Sequence, residues 1–175
     1  MINRKNIVTL CLMIVVIPSV VIAGALLFRD KNYNFISLCV AVLSCIPLLY
    51  SFENKKSSSK ELAILAVMIA ISTVGRFVFA WLPAFKPVTA ITIIAAVMLG
   101  KEAGFVIGSI SAVVSNFYFG QGPWTPFQMF AWGFIGFMAG MLAAPIKKNK
   151  VVMCIYGALA GVVFSMVMDI WTALW

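Results

Sequence analysis

Hydrophobic side chains follow one another in seven long stretches, at about residues 7 to 28, 35 to 52, 62 to 82, 84 to 99, 103 to 119, 126 to 146 and 151 to 175. Short polar breaks separate them. A helix of roughly 20 apolar residues crosses the hydrocarbon core of a bilayer. The pattern therefore predicts an all-α membrane protein, a polytopic transmembrane bundle of about seven helices. The fourth stretch is short: Val88 to Leu99 rises only about 18 Å as a helix, so that crossing recruits Pro83 to Pro87 or is locally broken. Pro87 suits the first turn of a helix. The stretch "ENKKSSSKE", residues 53 to 61, is linker-like. It divides two N-terminal transmembrane helices (residues 1 to 52) from a membrane core (residues 62 to 175).

Composition agrees with this reading, with 63% hydrophobic and 10% charged residues, more apolar surface than a soluble domain can bury. The net charge of +8 lies in clusters between the apolar stretches: Arg4 and Lys5, then Lys55, Lys56 and Lys60, then Lys101, then Lys147, Lys148 and Lys150. These alternate with breaks poor in positive charge, as cytoplasmic loops do. Residues 1 to 6, 53 to 61, 100 to 102 and 147 to 150 are expected inside a cell membrane, and 29 to 34, 83 to 87 and 119 to 125 outside. The charge thus reflects topology, and no nucleic-acid partner is expected. The first stretch also has a signal peptide's basic start and small residues Ala23 and Ala25, but it exceeds a signal core of roughly 7–15 residues. Unless it is cleaved, the N-terminus is cytoplasmic.

With no histidine and five acidic residues, general acid/base catalysis and oxygen-ligand metal cages lack raw material. Neither catalytic residues nor a metal site nor a catalytic cofactor is expected. Cys11, Cys39, Cys45 and Cys154 are scattered without CxxC spacing and read as small buried hydrophobes.

Sorted by depth, the polar residues are uneven. Arg76, Lys86, Ser115, Asn116, Tyr118, Gln121, Trp124, Thr125, Gln128, Trp132 and Asp169 all fall in the outer half or outer loops. Ionisable groups within a membrane span are costly, so Arg76 and Asp169 are expected to face the interior or an outward cavity, where they could pair. In "GQGPWTPFQMFAWG", residues 120 to 133, Gly120 and Gly122 permit a tight turn and Pro123 and Pro126 stiffen it. Trp124 and Trp132 then sit beside the neutral hydrogen-bonding groups of Gln121, Thr125 and Gln128. An apolar, aromatic-walled pocket with a few aimed polar groups suits a small organic ligand. Small residues at helical spacing, Gly104, Gly108 and Ala112, then Gly133, Gly136 and Gly140, then Gly157 and Gly161, predict close helix packing.

From residue 60 to 175 the chain resembles the substrate-binding S component of energy-coupling factor (ECF) vitamin transporters. The stretches that carry the resemblance are "ELAILAVMIAIS" and "FKPVTAITIIAAVMLGKEAGFVIGSISAVVSNFYFGQGPWTPFQMFAWGFIGFMAGML". They combine a Gly-flanked turn at Gly100 to Gly104, a small-residue helix, a Gly/Pro loop and a glycine-stepped helix. The resemblance implies a six-helix core that captures a vitamin or precursor outside and docks on a shared transmembrane subunit carrying two ATPases. It also maps an alanine docking strip to Ala66 and Ala70, with Ala63. No phosphate-binding G-x-x-x-x-G-K-[ST] loop occurs, so ATP would be used by partner subunits. Relative to the family pattern the two N-terminal helices are additional, and the core's sixth helix is missing after Trp175. The GPWTP loop is most similar to S components for cobalamin or other corrinoids, although Arg76 and Lys86 equally suit a carboxylate or phosphate. The competing readings are a non-transporting membrane scaffold or assembly protein and, third, a membrane enzyme.

Overall fold

The computed structural model describes residues 4–28, 33–54, 59–82 and 85–174. The outer break at 29 to 34, the lysines at 55 and 56, Pro83 and Trp175 fall wholly or partly outside them. Among the described residues there are nine α-helices and one π-helical turn: α1 (Arg4–Cys11), the π turn (Leu12–Val16), α2 (Ile17–Phe28), α3 (Tyr33–Asn54), α4 (Ser59–Val78), α5 (Val88–Leu99), α6 (Lys101–Phe119), α7 (Trp124–Met141), α8 (Ala143–Lys148) and α9 (Lys150–Leu174). The chain is an all-α, multi-pass membrane bundle, as its hydrophobic pattern predicts.

Among the described residues four helical stretches are long and apolar enough to cross a membrane: Ile7–Gly24, Ser59–Val78, Lys101–Phe119 and Lys150–Ala173. Of the other three expected crossings, α5 is too short, α7 carries Thr125, Gln128 and two tryptophans, and in α3 the described residues supply a shorter apolar stretch, Asn34–Leu43. α7 is largely interior. A helix enclosed by protein needs neither the length nor the greasiness of one that meets lipid. By contrast α4 and α9 leave many large apolar side chains exposed, among them Ile71, Val74, Val162 and Met166.

The centre is the α6/α7 pair, brought together by glycines. A Cβ on Gly108 would strike the Trp132 carbonyl, one on Gly136 the Gly104 backbone, and one on Gly140 the Lys101 backbone. Ser109 bridges the same seam, its hydroxyl donating to the Met129 carbonyl at 2.9 Å. Gly157 and Gly161 break the expectation, for nothing lies within 4 Å of a Cβ on either. α9 packs through Tyr156, Ala160, Phe164 and Trp171 instead, and the two glycines lie round the helix from that line.

The N-terminal helices add a layer. Met13, Ile17 and Val21 form a buried line at i, i+4 spacing that joins Ile36 and Val40 of α3 in the main core cluster, and α3 lies against α6 and α7. Pro18 lacks the N–H that an α-helix needs, and the chain passes it through the π turn without ending the helix. At one end of the bundle, Gly100 (φ 105°) joins α5 to α6; at the other, Gly120 (φ 97°) ends α6. Both take the left-handed region that favours glycine.

Candidate functional site

The bundle has a lysine-rich end, with Lys60, Lys101 and Lys147, and an aromatic end where α4 and α6 finish and α7 begins. At the aromatic end the last turn of α4 places Arg76, 6% exposed, against α6. Its Nη1 donates to Ser115 Oγ and, at 2.8 Å, to Asn116 Oδ1. Asn116 Nδ2 then donates to Thr125 Oγ1 at 3.0 Å and to Gln128 Oε1 at 2.8 Å, both on α7. Thr125 Oγ1 also accepts the Gly122 N–H at 3.2 Å, closing the turn.

This network has a direction. Arginine can only donate, so it holds the Asn116 oxygen toward itself and turns the Asn116 nitrogen toward α7. Thr125 and Gln128 are thereby used as acceptors. What remains to them is a hydroxyl proton on Thr125 and the amide nitrogen of Gln128.

Aromatic rings enclose the network. Arg76 Cζ lies 4.7 Å from the Phe119 ring centroid and 5.2 Å from that of Trp132. Trp132, 1% exposed, stacks on Phe164 of α9 at 4.8 Å and donates through Nε1 to Thr89 Oγ1 at 3.1 Å. Since Trp132 follows the first residue of α7 by eight positions, about 12 Å along the axis, Thr89 and the start of α5 sit well below the aromatic end. Phe85–Pro87, the return into α5, lie at that depth.

Two adjoining cavities open along this return. One, of about 340 Å³, lies between α5 and α9 and is lined by Phe85, Lys86, Thr89, Ile93, Met153 and Gly157. The other, of about 210 Å³, is lined by Arg76, Phe79, Phe85, Lys86 and Phe119 among others. Phe85 and Lys86 belong to both. Partial burial, and secondarily the charge of Arg76, push the Lys86 ammonium below its usual range.

Of the residues expected at the site, Arg76, Asn116, Thr125, Gln128 and Trp132 converge, and Lys86 borders both cavities. Gln121 braces the turn through Nε2 to the Val113 carbonyl at 2.9 Å. Trp124 covers Gly122 and meets Trp171 at 5.9 Å. Two expected residues are not brought to it. Tyr118, 74% exposed, lies on the outer surface against Phe77 at 4.8 Å, two residues and thus more than half a turn from buried Asn116. Asp169 is exposed on α9, nine residues or two and a half turns beyond buried Ala160, and does not pair with Arg76. Arg76 finds neutral partners on α6 instead. Sequence reasoning missed Thr89, Phe119 and Phe164; Phe119 alone had a signal, one turn beyond Ser115.

Comparison with known proteins adds the identity. Neither the curated proteins nor the solved structures yield a match. A family model does, the ECF-type riboflavin transporter, S component, over residues 56–174. With its helical membrane core matched along that length, the chain belongs to the S-component family of ECF-type riboflavin transporters.

Proposed function

We propose that this chain is the ligand-capturing subunit of an ECF-type importer in a cell membrane, and that its ligand is riboflavin or a close flavin. The observation that carries this reading is the family match over residues 56–174. The aromatic end supports it. A flat tricyclic ring with carbonyl and ring-nitrogen acceptors suits cavity walls that carry Phe85 and Phe119. Thr125 and Gln128 lie behind that wall, buried in the Asn116 network with a hydroxyl proton and an amide nitrogen not used by Asn116. The cavities, about 340 and 210 Å³, fall in or near the lower part of the roughly 300–1,000 Å³ range of small-molecule sites. A corrinoid, with its macrocycle and nucleotide tail, is much larger. The flavin therefore replaces the corrinoid suggested by the GPWTP loop.

By the positive-inside pattern the aromatic end faces outward and the N-terminus is cytoplasmic. Ala63, Ala66 and Ala70 lie exposed along α4, and this strip is the docking face for the shared transmembrane subunit, which works with two ATPases. Directional release requires a difference in ligand affinity between the two orientations or ATP-driven work on the partner.

Flavin fluorescence tests the ligand. Titrating riboflavin with detergent-solubilised protein should quench its emission saturably, as stacking on tryptophan does, and cobalamin should not displace it. Saturable corrinoid binding with no effect on riboflavin would reverse the assignment.

A further inference from the structure

Arg76 is a buried cation whose hydrogen-bond partners are both neutral. The Lys101–Glu102 ion pair, at 3.8 Å, lies at the other, lysine-rich end. Both Nη1 protons of Arg76 are engaged by Ser115 and Asn116, leaving Nε and Nη2 for another acceptor. Lys86 lines the same 210 Å³ cavity, and the remaining wall is aromatic and aliphatic, with no acid. Two cations facing one small cavity repel each other, Lys86 exposed at its mouth and Arg76 buried with only neutral partners. An anion in the cavity offsets that repulsion.

We infer that the cavity between Arg76 at the end of α4, Phe79, Leu82, Phe85, Lys86 and Phe119 is an anion subsite, taking a phosphoryl or carboxylate group on Arg76 and Lys86. A phosphate ester matches the guanidinium's planar donor fork. The inference stands on the cavity's charge and does not require a flavin ligand. Only its extension to a flavin phosphate rests on the proposed function.

The test uses the full chain and Lys86→Met in phosphatidylcholine nanodiscs, with Lys86→Gln as a second variant should the first fold poorly. Replacing sodium chloride by sodium phosphate at constant ionic strength should raise the wild-type unfolding temperature by several degrees and leave the variants unmoved. An absent shift, or an equal shift in both proteins, overturns the subsite. In a second arm the 5′-phosphate of riboflavin should bind the wild type about tenfold more tightly than riboflavin, and the variants should lose that preference. If neither flavin binds but the phosphate shift persists, the subsite stands and the flavin reading falls. A third arm adds phosphatidylglycerol to the nanodiscs: loss of the phosphate response there assigns the anion to a lipid headgroup, and its retention assigns it to a soluble ligand.

Discussion

Asn116 fixes the polarity of its surroundings. Its amide meets a group on α4 with its oxygen and two groups on α7 with its nitrogen, so one side chain holds three helices in register and selects which atoms remain for a ligand. Asn116→Ala should lower stability by roughly 3 kcal/mol, because it leaves a buried guanidinium and two buried acceptors short of a partner; thermal unfolding in detergent reads this directly. Gln128→Ala removes one of those acceptors together with the free amide donor. Its stability should fall by only about 1 kcal/mol, while flavin affinity falls about tenfold, near 1.4 kcal/mol, in a fluorescence titration. An unchanged affinity would take Gln128 out of the site. Arg76, Asn116, Thr125 and Gln128 were legible in the sequence because depth along a helix can be counted from its ends. The partner of Arg76 was not, since depth alone does not tell which side of a helix a residue occupies. Asp169 and Tyr118 share the depth of the site and point away from it.

Helix pairing separates glycines that look alike in sequence. Gly108 and Gly136 each touch backbone of the facing helix, where nothing can yield, whereas Gly161 borders open space. Gly108→Val is therefore expected to abolish monodisperse folded protein on size-exclusion chromatography, and Gly161→Val to leave the profile unchanged. Equal behaviour of the two variants would mean that the α6/α7 seam can spread. The existence of the long helices was plain from the apolar stretches, because a run of about 20 hydrophobic residues has few alternatives to a helix. The roles of α5 and α7 were not plain. Hydropathy measures how well a helix tolerates lipid; α7 is largely enclosed by its neighbours, and α5 is apolar but too short to cross alone.

At the level of the whole molecule, the proposed function puts ligand capture and partner docking in different places: the aromatic end for one, the exposed alanine strip of α4 for the other. Ala66→Trp should abolish co-purification with the transmembrane and ATPase subunits while riboflavin binding persists; joint loss would indicate misfolding. The resemblance readable in the sequence reached the S-component family, and the family match points to riboflavin instead of the corrinoid suggested by the GPWTP loop, which describes a rigid cap without stating the volume beneath it. That volume emerges only when α5, α9 and Phe85–Pro87 are assembled around it. The short α5 also alters the distance that remains to be travelled. The cavity beside Thr89, Ile93, Met153 and Gly157 begins about 12 Å below the start of α7 and reaches Met153, three residues into α9 from its lysine-rich end. On the proposed function, a molecule that enters at the aromatic end and settles there would have passed part of the bundle before any partner subunit acts.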